Sequence, residues 1–171
     1  MWSGERENSR GQLLMEVLIA VGVASLVFTA AIPLISVARF AGVKVRADTI
    51  GSALSQETVE AAYAISANGW NTLAEPLGTQ DKGPTHPYHT IVQSGSWALA
   101  AGPETITRDG IDFTRQLVID DVSRTEMNGE GDIEPIFTSE RRDPTTLKLT
   151  AQVSWAGSTP LIAEHFVTRS R

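Results

Sequence analysis

The sequence contains no cysteine. This absence excludes disulfide bonds, thiol catalysis, iron–sulfur clusters and cysteine-based zinc sites. An excess of positive charge is also missing, since 14 Lys and Arg stand against 20 Asp and Glu and give a net charge of −6. No basic cluster is present, so we expect no nucleic-acid partner. The length of 171 residues allows one modest domain plus, at most, an anchor.

A long apolar stretch near the N-terminus is the main feature that is present. No residue between Glu16 and Arg39 carries a formal charge. As a helix that rises about 1.5 Å per residue, this stretch is roughly 33 Å long, enough to cross a bilayer core. A secretory signal peptide has a shorter apolar core and an A-x-A-like cleavage site, neither of which fits here.

The apolar pattern predicts one helix of two characters that ends near residue 68. Residues 12–38 are apolar on all sides, whereas residues 39–67 carry apolar residues mostly three or four positions apart, which predicts one apolar stripe. That stripe consists of Phe40, Val43, Ala47, Ile50, Leu54, Ala61 and Ile65. Asn68-Gly69 predicts the helix end, because either residue tolerates a left-handed cap. Pro33 and the glycines at 22, 42 and 51 are points where the helix can bend.

The remainder predicts an irregular region over residues 70–90 and then an antiparallel sheet. From Tyr88 the sequence alternates in short segments separated by turn residues. One strand, "TTLKLTAQVSW", places five apolar residues on one face, and it predicts a hairpin with "PLIAEHFVTRS". Those five residues are Leu147, Leu149, Ala151, Val153 and Trp155.

The predicted fold class is therefore α+β: a long N-terminal helix whose amphipathic half packs on a small C-terminal antiparallel sheet. We divide the chain into a leader (1–11), a membrane-spanning or filament-core helix (12–38), an amphipathic continuation (39–69) and a globular domain of a loop plus the sheet (70–171).

Glu16 is the residue in the apolar stretch that most needs explanation. A carboxylate in a membrane helix costs about 2.5 kcal/mol or more, and a buried carboxylate is tolerated only beside a cation. The nearest available cation is a new α-amino group, which a cut after Gly11 would create. Glu16 would then be the fifth residue, and its pairing with a neighbour's amine would set the register between helices.

The segment "GQLLMEVLIAVGV" resembles the class III leader junction of type IV pilins and type II secretion pseudopilins. Gly11 matches the residue before the cut, Glu16 the glutamate at the fifth position, and Pro33 a position where many of these proteins have proline. Gln12 stands where the family usually has Phe or Met. The segment "KLTAQVSWAGSTPLIAEHFVTRS" also resembles the C-terminal β–Trp–turn–β hairpin of minor pilins and I-type minor pseudopilins.

The resemblance implies a processing and assembly route. A prepilin peptidase would cleave between Gly11 and Gln12, and the new N-terminus at Gln12 would usually be methylated. The chain would wait in the inner membrane as a single-pass protein with its sheet domain outside the cytoplasm, in contact with membrane lipid. An inner-membrane assembly platform would then insert it among other pilin or pseudopilin subunits, in a periplasmic or extracellular filament.

Two alternatives remain open at this point. One is a single-pass, unprocessed binding or sensor domain, and the other is a secreted enzyme behind an uncleaved signal anchor. The resemblance does not choose between a pilus, a secretion pseudopilus and a DNA-uptake system.

Other candidate sites have simpler interpretations. The motif "HPYH", His86 to His89, lacks a third metal ligand, and we predict no metal or other cofactor. An acidic run lacks the order of a calcium loop and is interpreted as a solvated loop. The resemblance keeps calcium at this run as an open alternative, because some pseudopilins bind calcium. That run comprises Asp120, Asp121, Asn128, Glu130, Asp132 and Glu134. No nucleophile motif is present, and Ser154 and His165 fit ordinary strands, so we predict that the chain is not an enzyme.

Overall fold

The computed structural model describes residues 5–126 and 131–169. Helix α1 covers Glu5–Asn68 and the short helix α2 covers Trp70–Ala74. Single 3-10 turns occur at Pro76–Gly78 and Ser139–Arg141. The strands are β1 (Tyr88–Gln93), β2 (Ser96–Ala101), β3 (Glu104–Arg108), β4 (Ile111–Ser123), β5 (Arg142–Trp155) and β6 (Leu161–Thr168). A long helix followed by strands is the order that the sequence predicts.

The chain divides into two compact units, Met1–Arg46 and Ala47–Arg171. In the first unit every described side chain from Gly11 to Arg46 is exposed, apart from the half-buried Ala31. The second unit contains the last part of α1, α2 and all six strands, and it holds the hydrophobic core.

The sheet is antiparallel, with strand order β2-β1-β4-β5-β6. Strand β3 pairs with the beginning of β4, from Glu104 opposite Arg115 to Arg108 opposite Ile111. Strand β1 meets the same edge of β4 further along, where Tyr88 lies opposite Leu117. Two short strands therefore share one edge of β4, and the predicted hairpin of β5 and β6 is confirmed.

The amphipathic part of α1 packs on this sheet, which confirms the α+β class. Ala47 and Leu54 contact Phe113 and Val153 at one end of the sheet. The other end forms a larger core of buried residues from α1, α2 and the strands. Its members are Ala62, Ile65, Leu73, Tyr88, Leu99, Leu117, Ile119, Leu147, Leu149 and Val167. Each large apolar side chain buried in this way contributes about 1.5–3 kcal/mol.

The packed stripe is shorter than the sequence predicts. Phe40 and Val43, which we placed on it, are 78% and 61% exposed. Buried positions on α1 begin at Ala47 and continue at intervals of three or four residues to Ile65. Helical periodicity alone cannot locate this boundary, because Phe40 and Val43 are in phase with the stripe but belong to the first unit.

The predicted end of α1 is confirmed, but the predicted cap geometry is wrong. The helix ends at Asn68, and Gly69 donates its N–H to the carbonyl of Ile65 at 3.0 Å. Gly69 has an extended backbone (φ −179°) rather than a left-handed one. Gly69 is the N-cap residue of α2, which lies in a region that the sequence predicts as irregular. The fully buried Leu73 explains this short helix, because it fixes α2 against the core.

The predicted alternation of β5 is also confirmed. Leu147, Leu149, Ala151 and Val153 are all buried on the face toward α1, and Trp155 continues that face half-buried. The polar residues between them are more exposed, as a strand with one covered face requires.

Candidate functional site

The four residues predicted for processing and assembly all lie on α1. Gly11, Gln12 and Glu16 fall within about 7.5 Å of helix rise, and Pro33 follows about 25 Å further along. A side chain on Gly11 would have nothing within 4 Å, and Glu16 is exposed. The junction between Gly11 and Gln12 is therefore not covered by any described part of the chain.

The first unit exposes a continuous apolar surface. Its large apolar side chains between Leu13 and Val37 are each 55% to 73% exposed. Monomeric soluble proteins rarely expose contiguous apolar areas of this extent, and such areas mark membrane or protein contacts. The helix is long and apolar enough to cross a membrane.

The hydroxyl groups of this segment are satisfied within the helix. Ser25 donates to the carbonyl of Val21 at 2.8 Å and Thr29 to that of Ser25 at 2.7 Å. Ser36 donates to the carbonyl of Ile32 at 3.1 Å. These bonds back to the preceding turn remove three donors from the helix surface, so that surface is compatible with hydrocarbon or with another apolar helix.

Glu16 and Pro33 are the two exceptions to this internal satisfaction. Among the described side chains, none forms a hydrogen bond or ion pair with Glu16. Pro33 lies inside α1 and has no N–H, so the carbonyl of Thr29 lacks its usual helical donor. The helix continues through Pro33, and its role as a point of flexibility stays a prediction.

A buried arginine, which the sequence did not reveal as important, fixes α1 to the sheet. Arg115 on β4 is 4% exposed. Its guanidinium donates to Glu57 of α1 at 2.7 Å and to Glu104 of β3 at 2.6 Å. It also donates to the carbonyl of Thr90 on β1 at 3.2 Å. One side chain thus joins α1, β1, β3 and β4, and its partners are too distant in sequence for local patterns to predict.

The two histidines of "HPYH" have local partners. His89 Nδ1 lies 2.8 Å from the carbonyl of Gly102. His86 Nδ1 lies 3.1 Å from the hydroxyl of Thr85. Across residues 5–126 and 131–169, no group of three or more side chains is arranged to hold a metal ion.

The acidic run is divided among several partners. Asp121 is paired with Lys82 at 2.6 Å and with Arg142 at 3.1 Å. Glu134 accepts a hydrogen bond from Ser123 at 2.7 Å and pairs with Arg141, and these bonds lower its pKa. Burial raises the pKa of Asp120. Asn128 and Glu130 lie outside the described residues.

Ser154 and His165 do not form a catalytic pair. His165 lies opposite Leu149, five positions along β5 from Ser154, or about 17 Å. The ring of His165 instead makes an edge contact with Tyr63, with ring centres 6.4 Å apart.

A groove runs between α1 and the edge strand β6. It has a volume of about 510 Å³ and is lined mainly by apolar atoms, among them those of Val59, Tyr63, Leu161 and Ile162. The hydroxyl of Tyr63 donates to the carbonyl of Phe166 at 3.2 Å and fixes one end of the groove.

These features define an α+β protein with one N-terminal helix that is long and apolar enough to cross a membrane. No protein-family model, curated protein or solved structure matches the chain.

Proposed function

We propose that this chain is a non-enzymatic filament subunit of the type IV pilin and type II secretion pseudopilin class, most like a minor pilin or an I-type minor pseudopilin. One observation carries the proposal: the exposed apolar segment 11–46 of α1 bears a single carboxylate, Glu16, five residues after Gly11. The "GQLLMEVLIAVGV" resemblance supports the same function.

The chemistry of Glu16 supports processing at Gly11. An unpaired carboxylate is strongly unfavourable in an apolar environment, and an ammonium partner removes most of that penalty. Cleavage after Gly11 would supply such an ammonium on every copy. It would also place Glu16 in the first turns of the helix, where the positive end of the helix dipole favours a carboxylate. Glu16 of one subunit would then pair with the amine at Gln12 of the next.

The exposed apolar surface suits two successive environments of the same helix, first the membrane and then the interior of a filament. Before assembly, inner-membrane lipid would cover it, with the sheet domain outside the cytoplasm. After cleavage by a prepilin peptidase, and methylation at Gln12, an inner-membrane assembly platform would transfer it into a filament among other pilin or pseudopilin subunits. Internally bonded hydroxyls suit both environments, since neither supplies water.

The direct test is the N-terminus of the full chain after coexpression with a prepilin peptidase. We expect mass spectrometry to find a chain that begins at Gln12, with or without a methyl group. The controls are a catalytically inactive peptidase and a Gly11→Leu chain, both of which should leave Met1 in place. An intact Met1 in the unaltered chain with active peptidase, or a cut near Ala38, contradicts the proposal.

The groove between α1 and β6 favours one second candidate, a single-pass binding or sensor domain that is never processed. Apolar clefts of this size are common at ligand sites. An intact Met1 together with stable membrane retention would support this candidate instead.

A further inference from the structure

The segment 39–46, at the end of the first unit, has an exposed apolar surface that the fold does not use. Phe40 and Val43 are 78% and 61% exposed, although their spacing continues the stripe that packs from Ala47 onward. The segment follows directly on the uncharged stretch that ends at Ala38. Its apolar side chains therefore need a different covering from those of the second unit.

The charge of this segment is opposite to that of the whole chain. Between Glu16 and Asp48 the sequence has no acidic residue, whereas Arg39, Lys44 and Arg46 are basic. The complete chain has a net charge of −6. Positive charge is thus concentrated at one end of the apolar stretch.

Cations and apolar side chains are paired along the helix surface. Arg39 lies one turn from Val43, and Phe40 lies one turn from Lys44, and all four are exposed. Each neighbouring pair offers an apolar body beside a positive head group. Basic side chains whose stems lie along apolar surface and whose head groups reach the water are typical of the boundary between hydrocarbon and headgroups.

We propose that residues 39–46 bind anionic phospholipid headgroups while the helix is in the membrane. The inference rests on the membrane-anchored stage of the proposed function and names the lipid class that this stage uses. In the leaflet on the side of the sheet domain, headgroup phosphates would neutralise Arg39 and Lys44, and Phe40 and Val43 would lie at the top of the acyl chains. A second copy in the same register is a poorer occupant, because it would bring like charges together.

The absence of cysteine permits a clean test. A fluorophore on Ala41→Cys in the full chain labels this segment alone and leaves Arg39, Phe40, Val43 and Lys44 in place. The labelled chain is reconstituted in phosphatidylcholine vesicles that contain a small fraction of headgroup spin-labelled phosphatidylglycerol or, for comparison, spin-labelled phosphatidylcholine. We expect stronger quenching by the anionic lipid. Arg39→Gln with Lys44→Gln should reduce that preference to near parity, by about fivefold for each cation removed.

Two further variants control for net charge and for folding. Arg108→Gln with Arg169→Gln removes the same charge from exposed positions in the second unit and should leave the lipid preference unchanged. Arg39→Lys with Lys44→Arg keeps both charges and should retain the preference. Inorganic phosphate should reduce the preference no more than chloride at equal ionic strength, and a selective effect of phosphate would overturn a lipid-surface site.

The remaining outcomes separate this inference from the proposed function. Equal quenching by both lipids in the unaltered segment, or self-quenching between labelled copies without lipid quenching, overturns headgroup binding. If the protein still resists alkaline carbonate extraction in those cases, membrane anchoring stands and only the headgroup inference fails. Release by carbonate contradicts both.

Discussion

Gly51 of α1 lies directly against the indole ring of Trp155 on β5. A Cβ atom on Gly51 would be 2.6 Å from Cζ3 and 3.1 Å from Cη2 of that ring. The same ring packs against Phe113, with ring centres 5.3 Å apart and the rings tilted by 53°. Gly51 therefore permits a close contact between helix and sheet and is not a bend in the helix, because it is buried and the helix continues through it.

Gly51→Ala should destabilise the fold despite a better helix propensity. Alanine gains about 1 kcal/mol in a helix over glycine. Overpacking a close contact costs about 1–3 kcal/mol, and a Cβ atom 2.6 Å from the Trp155 ring forces the ring or the helix to shift. We expect a net loss of about 1 kcal/mol, measured by urea unfolding of the full chain in detergent with tryptophan fluorescence.

Gly42→Ala is the matched control on the same helix. A Cβ there would have nothing within 4 Å, so only the propensity gain applies. If both substitutions had the same effect on the free energy of unfolding, the contact between Gly51 and Trp155 would not limit the residue at 51.

Replacing Arg115 should lower the free energy of unfolding more than replacing Glu57. Arg115→Met leaves the carboxylates of Glu57 and Glu104 facing each other without their shared cation, and it leaves the Thr90 carbonyl without that donor. Removing one partner of a buried ion pair costs about 3–5 kcal/mol, and we expect the lower end because Glu57 and Glu104 are 47% and 32% exposed.

Glu57→Gln is the matched partner experiment. Arg115 keeps Glu104, and the glutamine can still accept a hydrogen bond, so we expect a loss below about 1 kcal/mol. Equal losses for the two variants, in the same urea unfolding measurement, would mean that Arg115 acts only through Glu57.

The sequence predicts those parts of the fold that local periodicity determines. The alternation from Leu147 to Val153 predicts β5 and its buried face, and Asn68-Gly69 predicts the end of α1. Both depend on residues close together in the chain. The resemblance at Gly11 and Glu16 also needs only one short segment, and it stays a prediction.

The missed features all depend on contacts between distant residues. The buried Arg115 pairs with Glu57, which lies 58 positions earlier in the chain. Strands β1 and β3 share one edge of β4. This arrangement depends on the register in which each strand pairs with β4, and the alternation of apolar residues does not specify that register. The exposure of Phe40 and Val43 reflects where the second unit begins, and helical phase carries no information on that point.

Asp143 should make the fold sensitive to acid. Its carboxylate accepts hydrogen bonds from Arg124 at 2.6 Å and from the N–H and hydroxyl of Thr145 at 2.8 and 2.6 Å. Burial alone would raise the pKa of Asp143, but these bonds outweigh it and hold the pKa well below the ordinary value of 3.8. The resulting stability is present above pH 3.8 and is lost as the pH falls from there toward the folded pKa.

The expected result is a falling unfolding midpoint below about pH 4 that Asp143→Asn largely removes. At pH 7 the variant should be less stable by about 2 kcal/mol, because Arg124 loses its charged partner. Asp120→Asn is the control, with the opposite effect on stability. Burial raises the pKa of Asp120, so its charged form destabilises the fold above pH 3.8, and the asparagine removes that cost. If the unfolding midpoint of Asp143→Asn fell with pH as steeply as that of the unaltered chain, other carboxylates would cause the loss of stability in acid.

Glu16→Ala should separate processing from assembly. The substitution leaves Gly11 intact, so we expect cleavage to proceed and the mature chain to begin at Gln12. It removes the carboxylate that would pair with a neighbour's amine, so the mature chain should be lost from purified filaments by at least about tenfold, equivalent to about 1.4 kcal/mol. The measurement is the ratio of this chain in sheared filaments to that in membranes, by immunoblot.

Two control variants identify the carboxylate itself as the cause. Glu75→Ala removes an exposed carboxylate from the second unit and should assemble normally. Glu16→Gln keeps the size and polarity of the side chain but not its charge, and it should fail like Glu16→Ala if the pairing is ionic. If Glu16→Gln assembled normally, a neutral hydrogen bond rather than an ion pair would account for docking. Normal assembly of Glu16→Ala would remove the role of Glu16 in docking, because no other carboxylate lies between Gly11 and Asp48 to substitute for it.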